Sequence, residues 1–185
     1  MTTECLLPDP SLSLEQAFSA VAQRMQGLGF VNPALRVQAV GFEPWEGLWL
    51  GVMVTPWSIN LMLLPRDPAA WHPVRAGEKR RYEFPAGRYD FIEAVDPLVG
   101  EYRMCSLFSP ALEFEDHAAA TLVAKLARAA LFDPANAASG QAPVSGDSTP
   151  VPLAKLEDRA NTPMSKRDFL RGRFLRADEP DVPGR

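Results

Sequence analysis

Cysteine and histidine are scarce, two of each among 185 residues. Cys5 and Cys105 lie far apart with no C-x-x-C pair, so one chain cannot assemble a zinc-finger, rubredoxin or iron–sulfur ligand set. Their spacing permits a disulfide, but nothing marks an exported protein, and the reducing cytosol is the default compartment. His72 and His117 form no H-x-x-x-H pair, so neither a metal nor a cofactor is expected. The opening Met-Thr-Thr-Glu-Cys lacks a basic region followed by an apolar run, so no secretory signal is expected there. Long apolar runs are also few. Gly47 to Pro65 is 19 residues without a charge, but Gly51, Pro56 and Asn60 interrupt it. It reads as two buried strands joined at Thr55-Pro56-Trp57, with no stable membrane insertion. Between Phe132 and Phe169 there is no aromatic residue, and Asp133 to Pro152 is rich in Ala, Ser, Gly and Pro. Such a stretch buries too little apolar area to offset chain entropy, which predicts a flexible linker.

A surplus of basic charge is missing from most of the chain. Residues 1–163 carry a net of −6, whereas residues 164–176 carry +4. An acidic body disfavours binding to nucleic acid, which rests on clustered Lys and Arg; only the tail could bind it. With 46% hydrophobic and 23% charged residues there is room for one sizeable core. The chain thus divides into three regions: a globular unit over 1–133, a linker over 134–163, and a basic tail over 164–185.

Within the globular unit, Ser13 and Gln16 have capping-box spacing, and Leu14, Ala17, Phe18, Val21, Ala22, Met25 and Leu28 recur at helical spacing. Gly27 and Gly29 are expected to end this helix. Strand character marks 35–42, 48–54, 59–64, 80–84, 89–95 and 102–108, with breaks at Pro44, Pro65 to Pro68, Pro85-Ala86-Gly87 and Asp96-Pro97. A second helix is expected over 115–132, with Leu122, Leu126, Ala129 and Ala130 on one side. Short connections favour an α+β fold, a mostly antiparallel sheet of five or six strands with an N-terminal and a C-terminal helix packed on it.

Two segments are dense in information: Val54-Thr-Pro-Trp-Ser-Ile-Asn-Leu-Met-Leu-Leu-Pro65, and Cys105-Ser-Leu-Phe-Ser-Pro110 with Gly100-Glu-Tyr102 before it and Glu113-Phe114 after it. Together with Phe84-Pro-Ala-Gly-Arg-Tyr89 they resemble the HybE (also HupJ or HoxT) family of nickel–iron hydrogenase assembly chaperones, from about Leu14 to Phe132. The resemblance implies a cytoplasmic, non-catalytic helper that engages hydrogenase precursors before export. Some relatives are joined to a rubredoxin-type module; this chain departs from them in lacking its four cysteines. The implied partners are the small-subunit precursor, the large-subunit precursor or both, and other maturation factors.

Under that reading Trp57, Asn60, Met62, Phe108 and Pro110 are candidates to shield apolar client surface. Glu101, Glu113, Glu115 and Asp116 are candidates to pair with arginines of a twin-arginine export signal. Trp57 and Met62 equally suit a core, and Asn60 a hydrogen-bonded strand. In the tail, Ser165-Lys166-Arg167-Asp168-Phe169-Leu170-Arg171 is similar to the S-R-R-x-F-L-K consensus of such signals, with Lys166 for the first arginine. It lies far from the N-terminus and no long apolar region follows, which suits an imitation of the client's signal better than a working one; a solvated or docked helix is the plainer alternative. A thiol-dependent or weakly metal-handling factor built on Cys105, with His72 or His117 as base, is the rival reading. No orienting third residue is legible for it, and no catalytic residue is assigned.

Overall fold

The computed structural model describes residues 6–139. The basic tail and most of the expected linker lie outside them. Helix α1 (Ser11–Arg24) precedes strands β1 (Gln38–Trp45), β2 (Leu48–Val54), β3 (Ile59–Pro65), β4 (Lys79–Phe84), β5 (Gly87–Asp96) and β6 (Gly100–Phe108), and helix α2 (His117–Ala130) comes after them. The strands form one sheet in the order β1-β2-β3-β6-β5-β4, every pair antiparallel. Two three-stranded meanders, β1–β3 and β4–β6, thus meet at the β3–β6 ladder. The α+β sheet-and-two-helix architecture is the one expected.

Turn chemistry sets the hairpins. Glu46 (φ 47°) and Gly47 (φ 77°) form a two-residue loop between the paired Trp45 and Leu48, the mirror-image turn that suits strand twist. Thr55 closes the next turn: its N–H and hydroxyl both bond the Ser58 carbonyl, and its Oγ1 accepts from Ser58 N–H at 3.0 Å. Pro44 lies inside β1 and does not break it. β1 is an edge strand, where a missing N–H removes no ladder bond. A bulge between Val40 and Glu43, with Gly41 at φ 61°, flips the strand's parity, so Val40 joins the core on the α2 side and Phe42 the core on the α1 side. The opposite edge, β4, carries Lys79, Arg80 and Arg81, which discourage a further strand.

Both helices differ in detail from expectation. α1 begins at Ser11, whose N–H donates to Asp9 Oδ1 at 2.8 Å, while Ser13 Oγ donates back to the Pro10 carbonyl. The Asp9-Pro10 pair therefore starts the helix in place of the expected Ser13 cap. The helix stops at Arg24, and Leu28, beyond Gly27 (φ 82°), is exposed. α2 is capped by Asp116, which accepts Ala119 N–H at 2.7 Å. It buries Ala120, Ala124, Ala127 and Ala130, whereas Leu122 is 57% exposed and Ala129 is exposed. Alanines let the helix lie close to a sheet face crowded with Leu50, Val52, Val54, Ile59 and Leu61.

On the α1 side, Leu14 packs with Phe42, Met53, Met62 and Leu64. Gly51 makes room there: a Cβ at this position would overlap the Phe42 ring. Between β3 and β4, residues 66–78 carry the chain to the far edge across the α2 side of the second meander. Trp71 lies 3.8 Å over the Arg103 guanidinium, and Arg103 pairs with Glu93 at 2.6 Å. Both side chains of that pair are almost wholly buried, and Arg103 also donates to Tyr82 Oη and the His72 carbonyl. On the other face of β4–β6 the α1-side cluster reaches Tyr102 and Met104, with Phe18 of α1 against Tyr102, while Ile92 and Ala94 stay half-buried.

Candidate functional site

At one end of the molecule Asn32 binds three segments together. Its N–H donates to the Pro56 carbonyl at 2.7 Å, and its Nδ2 donates to the carbonyls of Ala111 (2.9 Å) and Phe114 (2.8 Å). Its Oδ1 accepts from Ala34 N–H, and Ala111 N–H donates to the Trp57 carbonyl. Asn32 is 5% exposed, and losing it would orphan several buried backbone groups. The end it fixes presents Leu28, Phe30, Pro110 and Leu112 to solvent beside the exposed carboxylates Glu113 and Glu115. Although Glu113 as a residue is exposed, the chain packed around its carboxyl partly desolvates it and raises its pKa, a shift partly offset by a hydrogen bond from its own backbone amide.

From this end the β6 row Tyr102, Met104 and Ser106 runs back along the sheet face beside α1. Met104 faces Ile92 on β5, and Tyr102 faces Ala94. All four apolar residues are half-buried, and Ser106 is exposed. Trp57 lies stacked on Phe18 of α1 at 6.5 Å, and Phe18 meets Tyr102 edge-on at 6.1 Å. These rings wall the row on the α1 side. On its far side Arg81–Asp90 and Arg88–Glu83 ion pairs neutralise one another. The result is an apolar strip between an aromatic wall and a charge-balanced rim, leading to an acidic end.

The expected residues divide. Trp57, Pro110, Glu113 and Glu115 come together at this end. Asn60 is buried and donates to Ser58 Oγ at 3.0 Å. Met62 shares the α1 face but is wholly buried. Phe108 turns to the α2 side, edge-on to Phe114 at 5.1 Å, because Leu107 is an extra residue in the β3–β6 ladder and inverts the parity of the position after it. Glu101 sits at the other end of β6 and accepts Trp71 Nε1–H at 2.8 Å. Asp116 is exposed but engaged as the α2 cap. Ser165, Lys166, Arg167, Phe169, Leu170 and Arg171 lie outside the described residues.

The thiol reading finds no activated group. Cys105 is a free, buried cysteine whose pKa is pushed up to about 12 by burial, with Asp90 adding to the shift. The His117 ring is occupied, with Nδ1 accepting from Arg36 N–H and Nε2 bonded to Gln38 Oε1 at 2.6 Å. Among the described residues no three His, Cys, Asp or Glu side chains gather as a metal site would require.

Sequence reasoning missed Asn32, Ile92, Tyr102 and Met104. The last three were within reach, since alternation along β5 and β6 separates Ile92, Tyr102 and Met104 from Phe91, Arg103 and Cys105. Which face would stay open depends on where the helices and the 66–78 segment lie, and alternation does not say.

Comparison with known proteins agrees with this architecture. Residues 9–172 match the family model described as "NiFe-hydrogenase assembly, chaperone, HybE". The hydrogenase expression/formation protein HupJ of Bradyrhizobium diazoefficiens is 34% identical over 160 residues, 86% of this chain and 85% of that one. A HupJ of Rhodobacter capsulatus that carries the name rubredoxin is 38% identical over 115 residues, 62% of this chain but only 41% of its own length. The solution structure of HybE from Escherichia coli superposes with a TM-score of 0.56 at 25% identity, over 82% of this chain and 94% of that one. Among the described residues no helix is long and apolar enough to cross a membrane. A family match running from the start of α1 through both meanders and beyond α2, with the fold of a solved relative, makes this chain a member of the HybE family of nickel–iron hydrogenase assembly chaperones.

Proposed function

We propose that this chain acts in the cytoplasm by holding incompletely matured hydrogenase precursors, the small subunit through its twin-arginine signal, and delays export until cofactors and subunits are in place. The observation that carries this reading is the half-buried apolar strip of Ile92, Tyr102 and Met104, which runs into an acidic end fixed by Asn32. An apolar strip left partly open to solvent beside exposed apolar residues is a surface suited to a partner. Glu113 and Glu115 supply charge-assisted hydrogen bonds for signal arginines, and Trp57 supplies a rigid aromatic anchor. Holding requires only a higher affinity for immature than for mature client, with no chemical step. The large subunit and other maturation factors are further partners under this reading.

The test uses a fluorescently labelled small-subunit signal peptide and the full chain, with affinity read by anisotropy. Met104→Lys places a charge in the strip and is expected to weaken binding at least about tenfold, roughly 1.4 kcal/mol. Glu113→Gln with Glu115→Gln should weaken it less and flatten its salt dependence. Leu122→Lys, on the outer face of α2, should leave it unchanged. Peptide binding by Met104→Lys at the wild-type level, with a native circular dichroism spectrum, would remove the strip from the site.

A further inference from the structure

We infer that residues 164–176 of the same chain dock on this acidic end and strip, so that the protein carries its own competitor for the client surface. The inference rests on the reading of that surface as a client site. Three observations support it. First, the charges are complementary: the segment carries +4, while Glu113, Glu115 and Asp116 cluster at the exposed end of the domain. Second, the segment repeats one chemistry. Phe169-Leu170-Arg171 and Phe174-Leu175-Arg176 each set two apolar side chains beside a cation, the counterpart of an apolar surface bordered by carboxylates. Trp57, Pro110 and Leu112 are apolar groups on the chain segments that Asn32 joins, with Pro110 and Leu112 close in sequence to those carboxylates. Third, the family match continues to residue 172, well past the last secondary structure of the domain, a 3-10 turn at Pro134–Ser139. The first part of the segment, through Gly172, therefore lies within the stretch that the family model matches.

Reach is no obstacle. About 25 residues separate Ser139 from Ser165, and a flexible chain of that length would span roughly 25–30 Å. That exceeds the length of α2, about 21 Å at 1.5 Å per residue. A tether of this length holds the segment at an effective concentration on the order of 1 mM. A contact with an intrinsic dissociation constant of about 0.1 mM is then mostly closed, and an external peptide binds about tenfold more weakly than it would to an empty surface. A client signal with two arginines and a longer apolar region displaces the segment, whereas a weaker basic peptide does not. The tail thereby raises the threshold for capture.

The experiment compares the full chain with a full-length Phe169→Ser, Phe174→Ser variant, which leaves the described domain untouched. Amide NMR spectra should differ at Trp57, Leu112, Glu113 and Met104, and the labelled signal peptide should bind the variant about tenfold more tightly. Superimposable spectra with equal affinities would overturn the inference while leaving the client site standing. Spectral differences that grow with protein concentration would assign the contact to the tail of a second copy and overturn docking in cis. Spectral differences without peptide binding to either protein would uphold the docking and overturn the reading of the surface as a signal site.

Discussion

The two meanders are built from similar strands but are buried differently. β1–β3 is covered by α2 on one face and α1 on the other, and every residue of β3 from Ile59 to Leu64 is buried. β4–β6 is covered on its α2-side face by the crossing 66–78 loop and by the chain that follows α2, and its other face is covered only in part. Beneath that loop the interior is polar: an Arg103–Glu93 pair capped by Trp71, with Glu93 Oε1 left without a hydrogen-bond partner among the described residues. The first meander invests its sequence in a dry core. The second holds its shape by a buried ionic network and leaves the apolar strip of its other face half-exposed beside a charge-paired rim. A surface free to receive a client can exist only where the fold does not need that face for its own stability.

The sharpest way to break this comparison is to remove one partner of the ionic network. Arg103→Ala leaves the Glu93 carboxylate buried and uncompensated, and should cost about 3–5 kcal/mol in urea unfolding. Replacing both residues together, Arg103→Met with Glu93→Leu, should recover most of that loss, because a well-packed apolar pair needs no desolvation. If Arg103→Ala were as mild as a surface substitution, the second meander would not depend on the network.

A smaller contrast sharpens it. Leu61→Ala, between two covered faces, should cost about 2–5 kcal/mol, as core truncations do. Ile92→Ala on the open face should cost about 1 kcal/mol or less, since its side chain is only half-buried. Equal losses at the two sites would mean that the open face is part of the core.

The same contrast explains what could be read from sequence. All six strands were legible because turn residues punctuate them and their apolar runs are short; β2 matches its expected limits to the residue. Trp57, Pro110, Glu113 and Glu115 were legible as candidates from residue type and proximity in the chain. Phe108 was not, because a single extra residue in a ladder inverts parity, and strand pairing is a long-range fact. Leu122 was expected inside because it is apolar, yet the sheet selected the alanine face of α2 for its fit. Arg103 and Glu93 carry no signal of their burial, because no local pattern announces that a tryptophan from a distant loop will cover Arg103.

The smallest effect concerns the join between α2 and the first meander. His117 is buried with both ring nitrogens bonded, Nδ1 as acceptor of the Arg36 amide, which requires the neutral imidazole. Burial lowers its pKa from the usual 6.5, the Arg36 charge lowers it further, and Asp116 partly opposes both. The unfolded chain therefore takes up the proton at a higher pH than the folded one. The stabilising contribution is complete above about pH 6.5 and is lost as pH falls through that value toward the lowered folded pKa, below which no more is lost. Urea midpoints at about pH 7.5 and about pH 5.5 should show this loss in the wild type and a smaller one in His117→Gln, whose amide cannot take up a proton. Because α2 rests on β1–β3 and leaves the strip on β5 and β6 untouched, the same acid step should leave the Ile92 and Met104 amide resonances in place. Movement of those resonances with His117 titration would show that the two meanders respond as one.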